Sequence, residues 1–298
     1  MKFTRRYLSI AGFEIYWYAV LIVAGIAAAY VSGVHREKRM GLKKDTVLDL
    51  MLCVLPAGFV GARLYYVLLN PAGFDSLVDV LNLRTGGLAI YGGVITGLLA
   101  GFIYARVKKL DFVRLCDLCL PCVALAQSVG RWGNFLNQEA YGAELRVRAL
   151  QFFPLAVNID GAYYAAAFFY ESVWCLGIYL VTNVPKSAKS FAARGRAALG
   201  YLTMYAFERC AVEGIRTDSL YLGTIRASQL LSALVLTACG ACVLRLARAD
   251  RLSAAVFFVS CVFVTLSCCG ALPAVCVYCA LPPAAFALVR AQLRKALT

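Results

Sequence analysis

The sequence predicts an all-α fold: a multi-pass integral membrane helix bundle with seven core transmembrane helices and one or two further C-terminal spans. Of the 298 residues, 62% are hydrophobic and 15% are charged, whereas a soluble domain carries about 45–50% apolar and about 25% charged residues. Long apolar runs recur along the chain, and positive charges gather in alternate loops. Because the bilayer interior holds no water to satisfy the backbone, each span is expected to be a helix.

The apolar runs give the order of the spans. A spanning helix needs about 20 mostly apolar residues, and seven stretches meet this requirement, at 16–34, 47–69, 86–105, 112–130, 162–182, 197–214 and 227–247. Two shorter stretches follow, near 253–270 and 274–290. We therefore expect a membrane core at 1–250 and a hydrophobic C-terminal extension at 251–298. The basic start resembles a signal peptide, but its apolar run is too long, so we expect a retained first helix.

The loops set the topology, because cytoplasmic loops are enriched in Lys and Arg. The loops after the first, third and fifth spans are basic, and we place them on the cytoplasmic side; they contain Arg36, Lys38, Arg39, Lys43, Lys44, Arg106, Lys108, Lys109, Arg114, Lys186, Lys189, Arg194 and Arg196. By contrast, the stretch 70–85 contains a single basic residue, Arg84. The N-terminus is then expected outside, although its own basic residues argue mildly against this. Most of the net charge of +14 is thus a topology signal, and we expect no nucleic-acid partner.

The thirteen cysteines lie mostly inside apolar stretches, where Cys behaves as a small hydrophobe. Cys276 and Cys279 have the C-x-x-C spacing that can hold zinc or form a redox pair, but no His or acidic ligand lies nearby. We therefore expect neither a disulfide framework nor a metal site.

Ionisable residues inside the spans are the first functional candidates, because an Arg or Asp at a helix centre costs about 2.5–3.5 kcal/mol on insertion scales. The candidates are Asp49, Arg63, Asp117, Glu171, Glu208, Arg209 and Glu213. The sixth span is the richest in them, and Arg209 and Glu213 are four residues apart, so they share one helix face and can pair. A purely structural ion pair is the alternative.

A second cluster of polar side chains occupies residues 130–142, where the fourth span ends on the outer side. It offers Arg131, Asn134, Asn137, Glu139 and Tyr141 between two apolar spans. A guanidinium suits bidentate binding of a phosphate or carboxylate, and the amides can bind hydroxyl groups. We therefore expect a binding site here.

Glycines crowd the third span and flank Tyr91. Part of this pattern is the small-residue packing of membrane helices, since Gly93, Gly97 and Gly101 form two consecutive G-x-x-x-G steps. The Gly-Gly pairs on either side of Tyr91 also indicate a loosened or re-entrant backbone lining a cavity.

These motifs together resemble the bacterial prolipoprotein diacylglyceryl transferases. The likeness covers about residues 12–248, in family order and spacing. It rests on WYA at 17–19, GARLYYV at 61–67, GGLAIYGG at 86–93, GRWGNFLNQEAYG at 130–142, FYES at 169–172 and ERCAVEGIR at 208–216.

The resemblance implies an enzyme of the bacterial plasma (inner) membrane, with residues 1–250 as its transferase core and an active site toward the outer face. The implied reaction transfers the diacylglyceryl group from phosphatidylglycerol, a membrane lipid, to the lipobox cysteine thiol of a prelipoprotein. The product is a thioether, and glycerol phosphate is released. No metal, nucleotide or other cofactor is implied.

The resemblance also assigns residues. By position, Arg131 matches the family's lipid-headgroup arginine, and Arg209 matches a second essential arginine. The catalytic set is then Arg131, Arg209, Glu139 and Tyr91. The residues expected to bind substrate are Arg131, Asn134, Asn137, Tyr18, Gly142, Glu213 and Arg63.

The acceptor of the thiol proton stays open at this stage. Many family members have His where this chain has Tyr91, and the only His, His35, lies in a basic loop. A Tyr with a pKa near 10 is a poor base at neutral pH, so Tyr91 is expected to donate a hydrogen bond. Either Glu139 or Glu213 could accept the proton, or the arginines could lower the pKa of the incoming thiol.

The sequence departs from the family pattern in two more places. Residues 165–167 are alanines, where members often carry a His-Pro pair. For the last 50 residues we place no family counterpart.

Two other functions are weighed against the transferase. A membrane transporter or channel for a small anionic solute predicts internal repeats, and we find none. A different lipid-headgroup enzyme predicts an acidic metal cluster, which the sequence lacks.

Overall fold

The computed structural model describes residues 2–3, 6–10, 13–71, 74, 76–82, 86–183, 193–217, 221–222, 225–246, 249–268, 279–288 and 290. The helices within this part of the chain are α1 Trp17–Arg39, α2 Thr46–Leu69, α3 Leu77–Leu81, α4 Ile90–Val107, α5 Phe112–Asn137, α6 Ala167–Asn183, α7 Arg196–Val212, α8 Ala227–Leu246, α9 Arg251–Cys268 and α10 Cys279–Leu288. A short 3-10 turn covers Arg148–Leu150. The predicted all-α membrane bundle is confirmed.

The strands are short and antiparallel. They are β1 Lys2–Phe3, β2 Tyr7–Ile10, β3 Phe13–Tyr16, β4 Ala156–Ile159, β5 Ala162–Ala165, β6 Tyr221–Leu222 and β7 Ile225–Arg226. They form a three-stranded sheet in the order β1-β2-β3 and two hairpins, β4-β5 and β6-β7.

Six of the described helices are long and apolar enough to cross a membrane, namely α1, α2, α4, α5, α8 and α9. The expected fifth and sixth core spans correspond to α6 and α7, which have 17 residues each. The expectation of helix from residue 162 is wrong, because residues 162–165 form β5, which pairs with β4 around the turn at Asp160-Gly161. Asp-Gly is a strong two-residue hairpin signal, and both residues have positive φ, 50° and 90°.

The described residues fall into two compact units, one of residues 30–119 and the other of residues 1–29 and 120–298. In the first unit, α2 packs closely on α4. The Thr96 hydroxyl donates across this contact to the Ala57 carbonyl at 2.9 Å, and a Cβ at Gly92 would lie 2.3 Å from the Gly61 carbonyl oxygen. The glycines at 61 and 92 therefore allow the two backbones to approach, as small residues do in membrane helix packing.

The N-terminus of α2 is fixed by a buried glutamate from the end of α1. The Glu37 carboxylate accepts hydrogen bonds from the backbone N–H groups of Asp45 at 3.0 Å and Val47 at 2.7 Å. These bonds satisfy donors that a helix start otherwise leaves without partners.

In the second unit, the predicted C-terminal extension packs on α7 and α8. One core joins all four helices α7 to α10 and contains Ala206, Cys210, Ala233, Leu236, Val264, Cys268, Ala280 and Leu281. Beyond it, the Phe257 ring fills the space beside Gly240, where a Cβ would lie 2.1 Å from that ring. At the end of this packing, Arg290 pairs with Asp250 at 3.3 Å. The predicted second shorter span, near 274–290, lies partly outside the described residues.

Candidate active site

One buried carboxylate holds three arginines together. The side chain of Glu171, on the second turn of α6, is 1% exposed. It pairs with the Nε of Arg131, with the Nη1 of Arg209 at 2.7 Å and with the Nη1 of Arg216 at 3.3 Å. This cluster joins α5, α6, α7 and the turn after α7, so the two most specific sequence motifs meet at it.

The residue that follows α7, Glu213, supplies the second carboxylate of the cluster. Arg209 pairs through its Nη2 with Glu213, four residues on, as the spacing predicts. The backbone of this turn is fixed from β7, because the Arg226 Nη1 donates to the Glu213 carbonyl at 2.5 Å. Arg209 is thus held by two carboxylates on two different elements.

The arginines remain partly accessible. The side chain of Arg131 is 18% exposed, and those of Arg209 and Arg216 are 13% exposed. Among the described residues, Arg131 pairs with a carboxylate only through its Nε, so its two terminal NH₂ groups are not used in an ion pair. A guanidinium oriented in this way can still bind a phosphate with two parallel hydrogen bonds.

The motif at 130–142 begins on α5 and ends in a tight loop. The Tyr18 ring packs against Gly133, where a Cβ would lie 2.6 Å from the Tyr18 Cδ2. Tyr18 interacts electrostatically with both Glu139 and Arg131. The structure therefore brings the predicted first-helix tyrosine to the predicted motif.

A glycine is required at position 142 because the chain passes close to Ala165 there. Its N–H donates to the Ala165 carbonyl at 2.8 Å, and it forms a bridge with Arg216. A Cβ at this position would lie 2.8 Å from the Cβ of Ala165. The three alanines at 165–167, where we expected a departure from the family pattern, are all buried and pack where β5 passes into α6.

The other motif residues lie at a small cleft on the same unit. The cleft is partly open to solvent and is lined by Asn134, Phe135, Gln138, Glu139, Tyr141, Val157, Ile159 and Phe168. The Asn137 amide donates to Glu139 at 3.4 Å. Asn134 and Glu139 therefore line the cleft, and the hydrogen bond from Asn137 orients Glu139.

The hydrogen bonds of Arg63 indicate a structural role rather than the predicted binding of substrate. Its five N–H donors meet five backbone carbonyls, those of Asp79, Val80, Asn82, Gly86 and Gly87, and its guanidinium lies 4.9 Å from the centre of the Phe74 ring. An arginine has five such donors and no acceptor, so none is left for a phosphate. In this arrangement Arg63 holds the segment before α4, and its part in substrate binding stays a prediction that these hydrogen bonds do not support.

Tyr91 lies on the first turn of α4, in the same unit as Arg63. The glycines before it, Gly86 and Gly87, are non-helical with φ of 77° and 76°, so the span expected from residue 86 begins four residues later, at Ile90. Gly86 and Gly87 therefore precede the helix, whereas Gly92 and Gly93 are helical, and the predicted cavity beside Tyr91 stays a prediction.

Sequence reasoning did not assign Glu171 and Arg216 to the site. Glu171 carries a signal, since it is an ionisable residue in an apolar stretch, and Arg216 lies on the same helical stripe as Arg209 and Glu213. Their joint position depends on how α5, α6 and α7 pack, which no local pattern specifies.

The fold and this cluster define a multi-pass membrane protein with a largely buried network of three arginines and two glutamates. Residues 5–245 match the family model described as prolipoprotein diacylglyceryl transferase. The chain belongs to this family and is therefore a transferase; the family does not support the transporter alternative.

Curated relatives agree with this assignment, and each of the three below is named phosphatidylglycerol–prolipoprotein diacylglyceryl transferase. A relative from Enterococcus faecalis is 43% identical over 235 residues, covering 76% of this chain and 84% of its own. One from Clostridium perfringens, the enzyme numbered 1, is 40% identical over 230 residues, covering 76% and 88%. One from Clostridioides difficile is 37% identical over 222 residues, covering 74% and 86%.

Proposed function

We propose that this chain transfers the diacylglyceryl group of phosphatidylglycerol to the lipobox cysteine thiol of a prelipoprotein, the first step of bacterial lipoprotein maturation. The names of the relatives supply the two substrates. The observation that carries the proposal is the arginine cluster: Arg131, Arg209 and Arg216 share one carboxylate and keep part of their surface exposed.

In the proposed reaction, the thiolate attacks the glyceryl carbon that bears the phosphate ester. A carbon–sulfur bond forms, the carbon–oxygen bond breaks, and glycerol phosphate leaves with the electron pair. Arg131 and Arg209 bind the phosphate oxygens and stabilise the charge that develops on the leaving group. Fixed charges directed at developing charge commonly contribute more to catalysis than any other single effect.

Glu171 and Glu213 keep these arginines in place before substrate binds. Because their charges are anchored by ion pairs on α6 and α7, the guanidinium groups need little reorganisation during the reaction. Asn134, Asn137, Glu139, Tyr18 and Gly142 belong to the substrate-binding part of the site in this proposal. For Tyr91 the sequence predicts a hydrogen-bond donor, and normal turnover by Tyr91→Phe would remove its hydroxyl from the mechanism.

The proposed function also implies where the enzyme and its active site lie in the cell. We infer a bacterial plasma (inner) membrane enzyme with the basic loops in the cytoplasm and the arginine cluster toward the outer face, where a prelipoprotein presents its lipobox. The diacylglyceryl product keeps the modified protein at the membrane.

The experiment is rescue of a transferase-depleted bacterium, with mass analysis of a reporter lipoprotein. The chain is expected to restore growth and to add the diacylglyceryl mass. Arg131→Ala is expected to lower transfer by at least about 100-fold, the cost of removing one charge-stabilising donor, while remaining in the membrane.

The matched control is Arg146→Ala, because the Arg146 side chain is 87% exposed and pairs only with a surface glutamate among the described residues. It is expected to act like the parent protein. A reporter without the added mass in cells that contain the chain would overturn the proposal.

A further inference from the structure

Glu208 is a buried carboxylate without a hydrogen-bond partner. It lies on α7 next to Arg209 and is 4% exposed, and neither of its carboxylate oxygens is hydrogen-bonded to any residue that the structure describes. A carboxylate can only accept hydrogen bonds when ionised, and burying one without donors costs free energy. Such a group in a native fold needs an explanation.

The other three buried glutamates that the structure describes all have ion-pair or hydrogen-bond partners. Glu171 pairs with three arginines, Glu213 pairs with Arg209, and Glu37 accepts two backbone N–H groups. Glu208 has no comparable bond and is the exception among these four.

The surroundings of Glu208 are those of the active site. Its carboxylate interacts electrostatically with Glu171 and with Arg131, Arg209 and Arg216. Burial and the nearby Glu171 disfavour the charged form, whereas the three guanidinium groups favour it. Opposed influences of this kind allow a carboxyl group to accept and release a proton during a reaction.

We propose that Glu208 is the proton acceptor for the prelipoprotein thiol. This inference rests on the proposed function and fills the role for which the sequence offers no histidine. The thiol proton passes to the Glu208 carboxylate, the sulfur forms its bond to the glyceryl carbon, and glycerol phosphate leaves. The proton then passes from Glu208 to the departing phosphate or to water, so the carboxylate is restored.

The two acceptors expected from the sequence are less suited to this role. Protonating Glu213 would weaken its ion pair with Arg209, which holds a phosphate-binding group. Glu139 is exposed and already accepts a hydrogen bond from Asn137. Glu208 can take a proton without breaking a hydrogen bond to any described residue, and catalytic hydrogen bonds commonly form fully only in the substrate complex.

The test compares a thiol with a selenol. Purified full-length enzyme is supplied with phosphatidylglycerol and a lipobox peptide carrying either cysteine or selenocysteine. Glu208→Gln keeps the size of the side chain but accepts no proton. With the thiol peptide, its rate is expected to fall by about 10²–10⁴-fold, the usual contribution of a general base. With the selenol peptide, which ionises without help, its rate is expected to match that of the parent enzyme.

Control variants separate this role from a structural one. Glu37→Gln changes a buried carboxylate of the other unit, and its thiol-to-selenol rate ratio is expected to equal that of the parent enzyme. Arg131→Ala is expected to lose activity on both peptides, since the phosphate-binding step is common to them. If Glu208→Gln does not accumulate, Glu208→Asp replaces it, with a lowered thiol rate and a normal selenol rate expected.

The outcomes are distinguishable. Equal losses on both peptides by the Glu208 variant, or an unchanged thiol rate, would overturn the proton-acceptor role while leaving the transferase intact. No transfer to either peptide by the parent enzyme would instead contradict the proposed function.

Discussion

The two units of this protein each bury arginine in a different way. In the unit of residues 30–119, Arg63 gives all five of its donors to backbone carbonyls. In the other unit, Arg131 and Arg209 are held by the side chains of Glu171 and Glu213 and remain 18% and 13% exposed.

We interpret this difference as that between a structural arginine and arginines that we propose bind a ligand. Backbone carbonyls are fixed by the chain, and their five bonds leave Arg63 no donor for another group. Carboxylates orient Arg131 and Arg209 while leaving part of each guanidinium accessible to an anion. Burying a charge costs free energy in either place, but only the second arrangement leaves part of each guanidinium accessible to a phosphate.

The largest effect is expected from the shared carboxylate. Glu171→Gln removes one charge that orients three guanidinium groups, and small displacements of catalytic groups can cost about 100-fold in rate. We therefore expect transfer to fall by at least this factor. Removing one partner of a buried pair also costs about 3–5 kcal/mol, so the melting temperature in detergent should fall too. Normal activity of this variant would show that Glu171 does not position the arginines.

A second change tests the structural arginine. Arg63→Lys keeps the charge but replaces a planar five-donor group by one ammonium group, which cannot reach five carbonyls in the same geometry. We expect a loss of about 2–4 kcal/mol in unfolding free energy, since hydrogen bonds to charged groups are worth about 1.5–3 kcal/mol each. Denaturation in mixed detergent and dodecyl sulfate measures it, and unchanged stability would contradict the structural role.

The smallest expected effect on stability comes from replacing the glycines beside Arg63. Gly86 and Gly87 both have positive φ, so alanine strains the backbone at either position. At Gly87 a Cβ would also lie 2.6 Å from the Arg63 Nη1, whereas at Gly86 nothing lies within 4 Å. Gly87→Ala is therefore expected to destabilise by about 1–3 kcal/mol more than Gly86→Ala, the usual cost of overpacking. Equal destabilisation would show that Arg63 can shift at no cost.

Much of the fold could be predicted from the sequence, because the length of an apolar run and the cost of an exposed backbone in lipid are local properties. The same holds for Arg209 and Glu213, whose pairing depends only on helical spacing. The β4-β5 hairpin was missed because the apolar residues at 162–165 continue smoothly into α6, although Asp160-Gly161 marks the turn.

The roles of individual arginines could not be predicted in the same way. Sequence reasoning selects Arg63 by the cost of a charge inside an apolar span and Arg131 by its place in the polar motif at 130–142, and neither argument identifies the partner of the arginine. What distinguishes them is the partner: backbone carbonyls from residues 79–87 for Arg63, and the carboxylate of Glu171, 40 residues away, for Arg131. Both partners depend on tertiary packing, and so does the isolation of Glu208.

The central claim, that Arg131 and Arg209 bind the substrate phosphate and Arg63 does not, is tested most directly by inhibition with glycerol phosphate, the released product. Its inhibition constant is measured for the parent enzyme and for the Arg131→Lys, Arg209→Lys and Arg63→Lys variants. We expect the first two variants to bind it at least about tenfold more weakly, equivalent to about 1.4 kcal/mol, and Arg63→Lys to stay within about twofold. Equal weakening in all three, or unchanged binding by Arg209→Lys, would contradict the account.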